Sequence, residues 1–173
     1  MRLSPSRHCC VQTIAVWSGV RGGTLWFAKR VQHIISVENN REWFERVKSM
    51  VAGMSNVDLR LCDGSTEENP SDYLRVTDGL KPESLDFVLV DGALARVQCA
   101  HIAIPLLKSG GILILDNANW YLPSNSKTHG SRKPGDNRRP DAAAWDNFLT
   151  KVAPWRHIWT TNGVTCTAMW FKP

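Results

Sequence analysis

The chain has 173 residues, 43% of them hydrophobic and 21% charged, and a formal net charge of +5. That length suits one domain, 1–173, with a real core and an ordinary globular composition. No run approaches the roughly 18 apolar residues that span a bilayer, which excludes a helical membrane protein. Gln12 and Thr13 interrupt the mildly apolar stretch behind Arg2 and Arg7, against a secretory leader.

Taken in chain order, Val11–Val16 reads as a first strand, followed by the glycine-containing turn SGVRGG. Thr24 to Val31 then opens a helix, with Thr24 as its expected cap. HIISVE is a second strand ending at Glu38. Asn39 or Asn40 caps the next helix, REWFERVKSMVAGM, whose Trp43, Val47, Met50 and Val51 recur at helical spacing. VDLRLCDG alternates as a third strand ending at Asp63, and a polar stretch with one short helix near Ser71 to Val76 follows.

The next unit, LDFVLVDGALARVQCAHIAIPLLKSGGILILDN, predicts a strand, a helix over Ala95 to Leu107, and a second strand. Its strands are apolar runs too dense for a half-exposed sheet, as in parallel strands covered on both faces. They end at Asp91 and at Asp116-Asn117. A loop over 124–140 then carries Lys127, Arg132, Lys133, Arg138 and Arg139 against Asp136 alone, and so most of the net charge. Its Gly, Pro and Ser content predicts a flexible, solvated basic loop rather than a nucleic-acid-binding face. A helix over Asp141 to Val152 and a hairpin turning at Asn162-Gly163 complete the chain. The order is α/β, a mostly parallel sheet with helices on both faces and a reversed strand at the C-terminal end.

Ligands of open parallel sheets bind beyond the carboxyl ends of the strands, so Glu38, Asp63, Asp91, Asp116 and Asn117 stand where chemistry is expected. A glycine turn lets the backbone approach a ligand closely. A carboxylate ending the second strand can accept hydrogen bonds from both hydroxyls of a ribose. Trp26, Trp43 and His101 are expected in the core, and Trp155, Trp159 and Trp170 within the hairpin. Trp120, beside Tyr121 and directly after the Asp-Asn pair, is a candidate wall of an acceptor pocket. Five cysteines, odd in number, fit reduced thiols and a cytoplasmic location; Cys9-Cys10 lack metal-ligand spacing.

From about Gly19 to Asn117 the chain resembles a class I S-adenosylmethionine-dependent methyltransferase. GVRGGTLWFA follows the first strand, SVE ends the second, LCDG ends the third, and LDFVLVDG and LLKSGGILILDN form the fourth and fifth. The Rossmann-like fold with a reversed terminal strand would follow, with S-adenosylmethionine as cofactor. By resemblance, Gly19, Gly22 and Gly23 border its methionine part, Glu38 holds the ribose, Asp63 neighbours the adenine, and Asp91 contacts the cofactor and is the candidate catalytic residue.

Asp91, Asp116 and Asn117, with 25 residues between the two aspartates, also resemble the metal triad of catechol-type and caffeoyl-coenzyme-A-type O-methyltransferases. There Mg²⁺, which prefers oxygen ligands, orients and acidifies a substrate hydroxyl. The lysine base of those enzymes has no counterpart, since Ala93, Leu94 and Ala95 follow Asp91. The other reading is that Asp91 contacts cofactor or caps a helix while Asp116-Asn117 turn the chain.

The first turn departs from the family. Trp17 stands where an acid is usual, and Arg21 lies near the second glycine, either crowding the methionine moiety or pairing with its carboxylate. Truncation or a frame change upstream of about Gly22 is one expected cause. The expected function is methyl transfer to a small-molecule oxygen or nitrogen nucleophile; the alternative is a non-catalytic remnant of the fold. An NAD-dependent oxidoreductase is disfavoured because GVRGGT lacks G-x-G-x-x-G.

Overall fold

A computed structural model describes residues 13–17, 23–66 and 68–173. The first half alternates β1 (Thr13–Trp17), α1 (Gly23–Ala28), β2 (His33–Glu38), α2 (Arg41–Met50) and β3 (Val57–Leu61). After the short α3 (Ser71–Leu74) and a 3-10 turn come β4 (Leu85–Val90), α4 (Arg96–Leu106) and β5 (Leu107–Leu115). The last part holds α5 (Ala118–Tyr121), α6 (Ala142–Val152), β6 (Arg156–Thr161) and β7 (Cys166–Phe171).

The strands form a single sheet in the order β3-β2-β1-β4-β5-β7-β6. β1 to β5 run parallel, and β7 runs antiparallel to both neighbours. The expected α/β, mostly parallel, Rossmann-like sheet with one reversed strand is therefore present. Strand order reverses between β1 and β4, the switch point at which doubly wound sheets open a crevice.

Alternation along the central strands sorts their side chains onto two faces. Val88, Val90, Leu113 and Leu115 meet α4 and α6 in the larger core, with Trp145 and Phe148 fully buried. Phe87 and Leu89 face the other way, with Ile34, Ala28 and Phe27. Val97, Ala100 and Ala103 place α4 on the larger core at helical spacing, whereas α2 buries only Val47. An Asn40 cap explains where α2 begins: its Oδ1 accepts the Trp43 N–H at 3.0 Å.

Several expectations need correction. Trp43, expected in the core, is half-buried on α2 with Arg46 over its ring at 4.7 Å. Thr24 lies inside α1 rather than capping it, and its hydroxyl meets Ser36 Oγ on β2 at 2.8 Å in the interior. Trp26 is 52% exposed, because the six-residue α1 turns Thr24 and Ala28, four apart, toward the sheet; Arg30 covers its ring at 4.0 Å. Trp155 and Trp170 are buried as expected, but Trp159 is 37% exposed, since every residue of the edge strand β6 is exposed. His101 is half-buried, its Nε2 3.2 Å from Ala144 O and its ring edge-on to Phe148.

β5 enters the sheet through an irregularity. Leu85 pairs with Leu107 but Phe87 pairs with Ile112, so Lys108 to Gly111 accommodate extra residues. Gly110 takes φ +77°, and a Cβ on Gly111 would lie 2.8 Å from Lys108 O. The double glycine is a steric requirement at this point.

The basic loop is tethered midway. Arg132 is only 3% exposed. It donates to Tyr121 O at 3.1 Å, Asp136 O at 2.9 Å and Asp146 Oδ1 at 2.9 Å. Buried Asn119 ties the same loop to β7, donating to Ser131 Oγ at 3.0 Å and accepting the Cys166 N–H at 2.9 Å.

Candidate functional site

Register sets the acids in a row. Trp17 at the end of β1 pairs with Val37 on one side and Val90 on the other, and Val90 pairs with Leu115. One residue further along each strand stand Glu38, Asp91 and Asp116. They are therefore level, with Glu38 and Asp91 two strand spacings, about 10 Å, apart across the end of β1. Asp63 lies two residues beyond Leu61, the partner of Glu38, and so further out.

Glu38 is 5% exposed. Burial raises its carboxyl above the usual range, opposed by the backbone N–H groups of Asn40 and Asn39. The Asn40 N–H donates to Oε1 at 2.9 Å. A carboxylate offers about four acceptor sites, so two backbone donors leave capacity for two ribose hydroxyls. The free acceptor positions fit that part of the cofactor. Asp63 is different: its side chain is 40% exposed and salt-bridged to Arg41 at the start of α2, on the rim. Gly23 begins α1. Gly19, Gly22 and Arg21 lie outside the described residues.

Asp91, Asp116 and Asn117 converge, and a residue not singled out by sequence lies among them. Arg96, in the first turn of α4 and 9% exposed, reaches back toward the strand ends. Its Nε donates to Gly92 O at 2.6 Å, Nη1 to Asp116 O at 2.5 Å and Nη2 to Asp91 O at 2.8 Å. Nη2 also lies 3.3 Å from Asp91 Oδ1 and 3.3 Å from Asn117 Oδ1. Thr167 on β7 donates to Asp116 Oδ1 at 2.8 Å. Desolvation and the neighbouring Asp116 push the Asp91 carboxyl up to about 6, against the pull of Arg96.

Among the described residues no three His, Cys, Asp or Glu side chains gather as a metal site, which leaves the two aspartates with Asn117 as the set to weigh. A Mg²⁺ ligated by these oxygens at its usual ~2.1 Å would stand within about 5 Å of the Arg96 nitrogen. Repulsion between the two cations is then on the order of 6 kcal/mol at an effective dielectric of about 20. In this arrangement Asp91 Oδ1 and Asn117 Oδ1 already face a guanidinium and Asp116 Oδ1 accepts from Thr167, and the set does not fit a divalent cation beside that charge. Nor does Asp91 cap α4, whose N-cap is Ala95 with no side-chain bond.

Two of the three left-handed non-glycine residues among the described residues follow these strands, the third being Glu83 before β4. Ala95 has φ 48° and Asn117 φ 52°, both left-handed, where a non-glycine residue costs about 1 kcal/mol or more. Next to them lie two clefts. One, about 350 Å³, is lined by Ala93, Arg96, Tyr121 and Arg139. The other, about 820 Å³, is lined by Trp120, Tyr121, His129 and Arg138. Tyr121 joins them, with Arg96 and Arg139 over its ring at 5.0 and 4.7 Å. A third hollow of about 720 Å³ lies further out, between residues 123–128 and the hairpin.

No family model matches this sequence, and no curated protein does either. Solved structures do. An O-methyltransferase from Bacillus cereus in complex with SAH aligns with a TM-score of 0.67 at 15% identity, over 94% of this chain and 74% of that one. The fold is that of a class I methyltransferase. A methyltransferase from Geobacter sulfurreducens aligns at 0.59 and 14% identity, covering 93% and 71%. TYW2 from M. jannaschii in complex with AdoMet gives 0.55 and 12%, covering 94% and 68%.

Within the methyltransferase fold, the strand-end acids were legible because each closes an apolar run. Arg96 was missed, although it left a trace. A cation in the first turn of a helix opposes the helix dipole, and ARVQCAHIAIPL carries one there with no acid in that turn. Such a residue needs partners elsewhere, and these are the carbonyls and side-chain oxygens at the ends of β4 and β5.

Proposed function

We propose that this protein transfers a methyl group from S-adenosylmethionine to an oxygen or nitrogen nucleophile of a small molecule. The observation that carries this reading is Glu38: a buried carboxylate with acceptor capacity left, level with Asp91 across the end of β1. Glu38 would hold the ribose hydroxyls, Gly19, Gly22 and Gly23 would border the methionine part, and Asp63 would stand near the adenine. The methyl then passes from the sulfonium to the acceptor by in-line displacement, for which the site chiefly supplies proximity and alignment. Asp91 is the group placed to accept an acceptor proton.

The acceptor belongs in the clefts around Tyr121, whose volumes suit a small molecule. They are preferred to the hollow against the hairpin because Arg96, bonded to Asp91, lines the smaller of them. Trp120 and Tyr121 would wall it.

Calorimetric titration with S-adenosylmethionine tests the reading. Saturable binding that is lost in Glu38→Ala, with the fold intact, is the expected result. No heat at millimolar cofactor would leave the second reading, a methyltransferase fold that no longer binds its cofactor.

A further inference from the structure

The Asp91, Asp116 and Asn117 oxygens form the kind of set that holds a hard divalent cation, yet a buried positive charge is already built into it. Arg96 bonds main-chain carbonyls at the ends of both β4 and β5. Its remaining contacts are Asp91 Oδ1 and Asn117 Oδ1, each at 3.3 Å. A guanidinium is planar, permanently charged and more weakly hydrated than a metal ion, so it can be buried among oxygens without losing its charge. Its stem is fixed by the backbone bonds and its face rests on Tyr121 at 5.0 Å. It is therefore rigid, unlike a surface arginine that could swing away to admit an ion.

We propose that Arg96 takes the place of the divalent cation: it is the resident positive charge of the acceptor site, and the Asp91–Asp116–Asn117 set binds no metal while Arg96 is present. For the acceptor, this inference rests on the methyl-transfer reading above. Arg96 is a positioning residue in that reading. It holds the ends of β4 and β5 together and orients Asp91 and Asn117, and with Nε, Nη2 and one Nη1 hydrogen engaged it has a single N–H left and cannot chelate the acceptor as a metal would. Metal chemistry at this site is barred by a charge that the chain itself supplies.

Mn²⁺ binding, followed by the paramagnetic resonance of the free ion, tests the proposal without any turnover. The wild-type protein is expected to leave Mn²⁺ free up to about 1 mM. Arg96→Met keeps an unbranched apolar stem and removes the charge, and should bind Mn²⁺ at least about tenfold more tightly once the repulsion is gone. Adding Asp91→Asn to that variant should abolish the gain. Wild-type protein that binds Mn²⁺ at submillimolar concentration and loses it in Asp91→Asn would overturn the proposal. So would an Arg96→Met protein that folds and binds no better than wild type. Should Arg96→Met fail to fold, the comparison of wild type with Asp91→Asn still decides. Failure to bind S-adenosylmethionine is read in a separate titration and leaves the metal result standing.

Discussion

At the scale of single residues, Glu38 and Asp91 carry the same charge in different settings. Glu38 is cradled by backbone N–H groups, and its proposed task is to accept hydrogen bonds. Each bond to a charged acceptor contributes about 1.5–3 kcal/mol. Glu38→Ala should therefore weaken S-adenosylmethionine binding by at least about 100-fold, with a melting temperature close to that of wild type. Unchanged affinity would remove Glu38 from the cofactor site.

Asp91 has a pH signature. Its folded-state carboxyl, at about 6, holds a proton more tightly than the unfolded carboxyl at about 3.9. Stability from that proton is complete below about pH 4 and is lost as pH rises through about 6. Asp91→Asn cannot titrate. Its stability relative to wild type should rise between pH 4 and 7, by about 2–3 kcal/mol, in denaturant melts run with chelator present. A difference that stays flat across that range would show that Asp91 is not held in a desolvating setting. Asp91 was legible in the sequence, as the acid closing LDFVLVD. Its raised pKa was not, because it arises from burial and from Asp116, a neighbour only after the sheet forms, and persists against the opposing charge of Arg96.

Secondary elements followed local pattern wherever burial was symmetrical. β2, β4 and α4 are apolar enough that their type needed no tertiary context, and the Asn162-Gly163 turn closes the hairpin as its sequence requires. Asn162 Oδ1 accepts the N–H groups of Val164 and Thr165 at 2.8 Å, and Gly163 takes φ +87°. The failures came from short elements. In α1 the choice of buried side rests on Thr24 and Ala28, and a pattern of six residues cannot announce it. In the basic loop the decisive event, burial of Arg132, is tertiary.

Two predictions belong to these elements. Gly111→Ala forces a methyl to within 2.8 Å of Lys108 O and should cost about 1–3 kcal/mol, read as a lower denaturation midpoint with an unchanged slope. An undiminished midpoint would mean that β5 can enter the sheet another way. Arg132→Ala leaves the Tyr121 and Asp136 carbonyls without their donor and should cost roughly 2–3 kcal/mol. Because Tyr121 and Asp146, at the other ends of these bonds, lie outside the loop, faster proteolysis within residues 124–140 should accompany the loss. Equal cleavage rates would contradict the tether.

For the whole molecule, the basic residues of the 124–140 loop overstate how basic that part of the surface is. Arg138 pairs with Asp136, Arg139 with Asp141 and Arg132 with Asp146, so much of the loop's charge is answered locally. A polyanion would have to compete with these carboxylates. Non-specific nucleic-acid binding at physiological salt should accordingly be weak, and a filter-binding assay showing submicromolar affinity with a steep salt slope would contradict this. Among the described residues no helix is long and apolar enough to cross a membrane.

The row of level acids makes the protein unequally tolerant of changes in length. Pairing fixes Trp17, Val37, Val90 and Leu115 side by side, so one residue added within 87–90 would turn every later side chain of β4 to the opposite face. Val90 would leave the core, and Asp91 would lose its place beside Asp116 and Arg96. A residue added within 64–69, between β3 and α3, would lengthen a loop at a cost of only tenths of a kcal/mol. A scan of single-residue insertions along the chain should reproduce the outline of the sheet, with function vanishing at the strands before the fold does and persisting through the loop after Asp63.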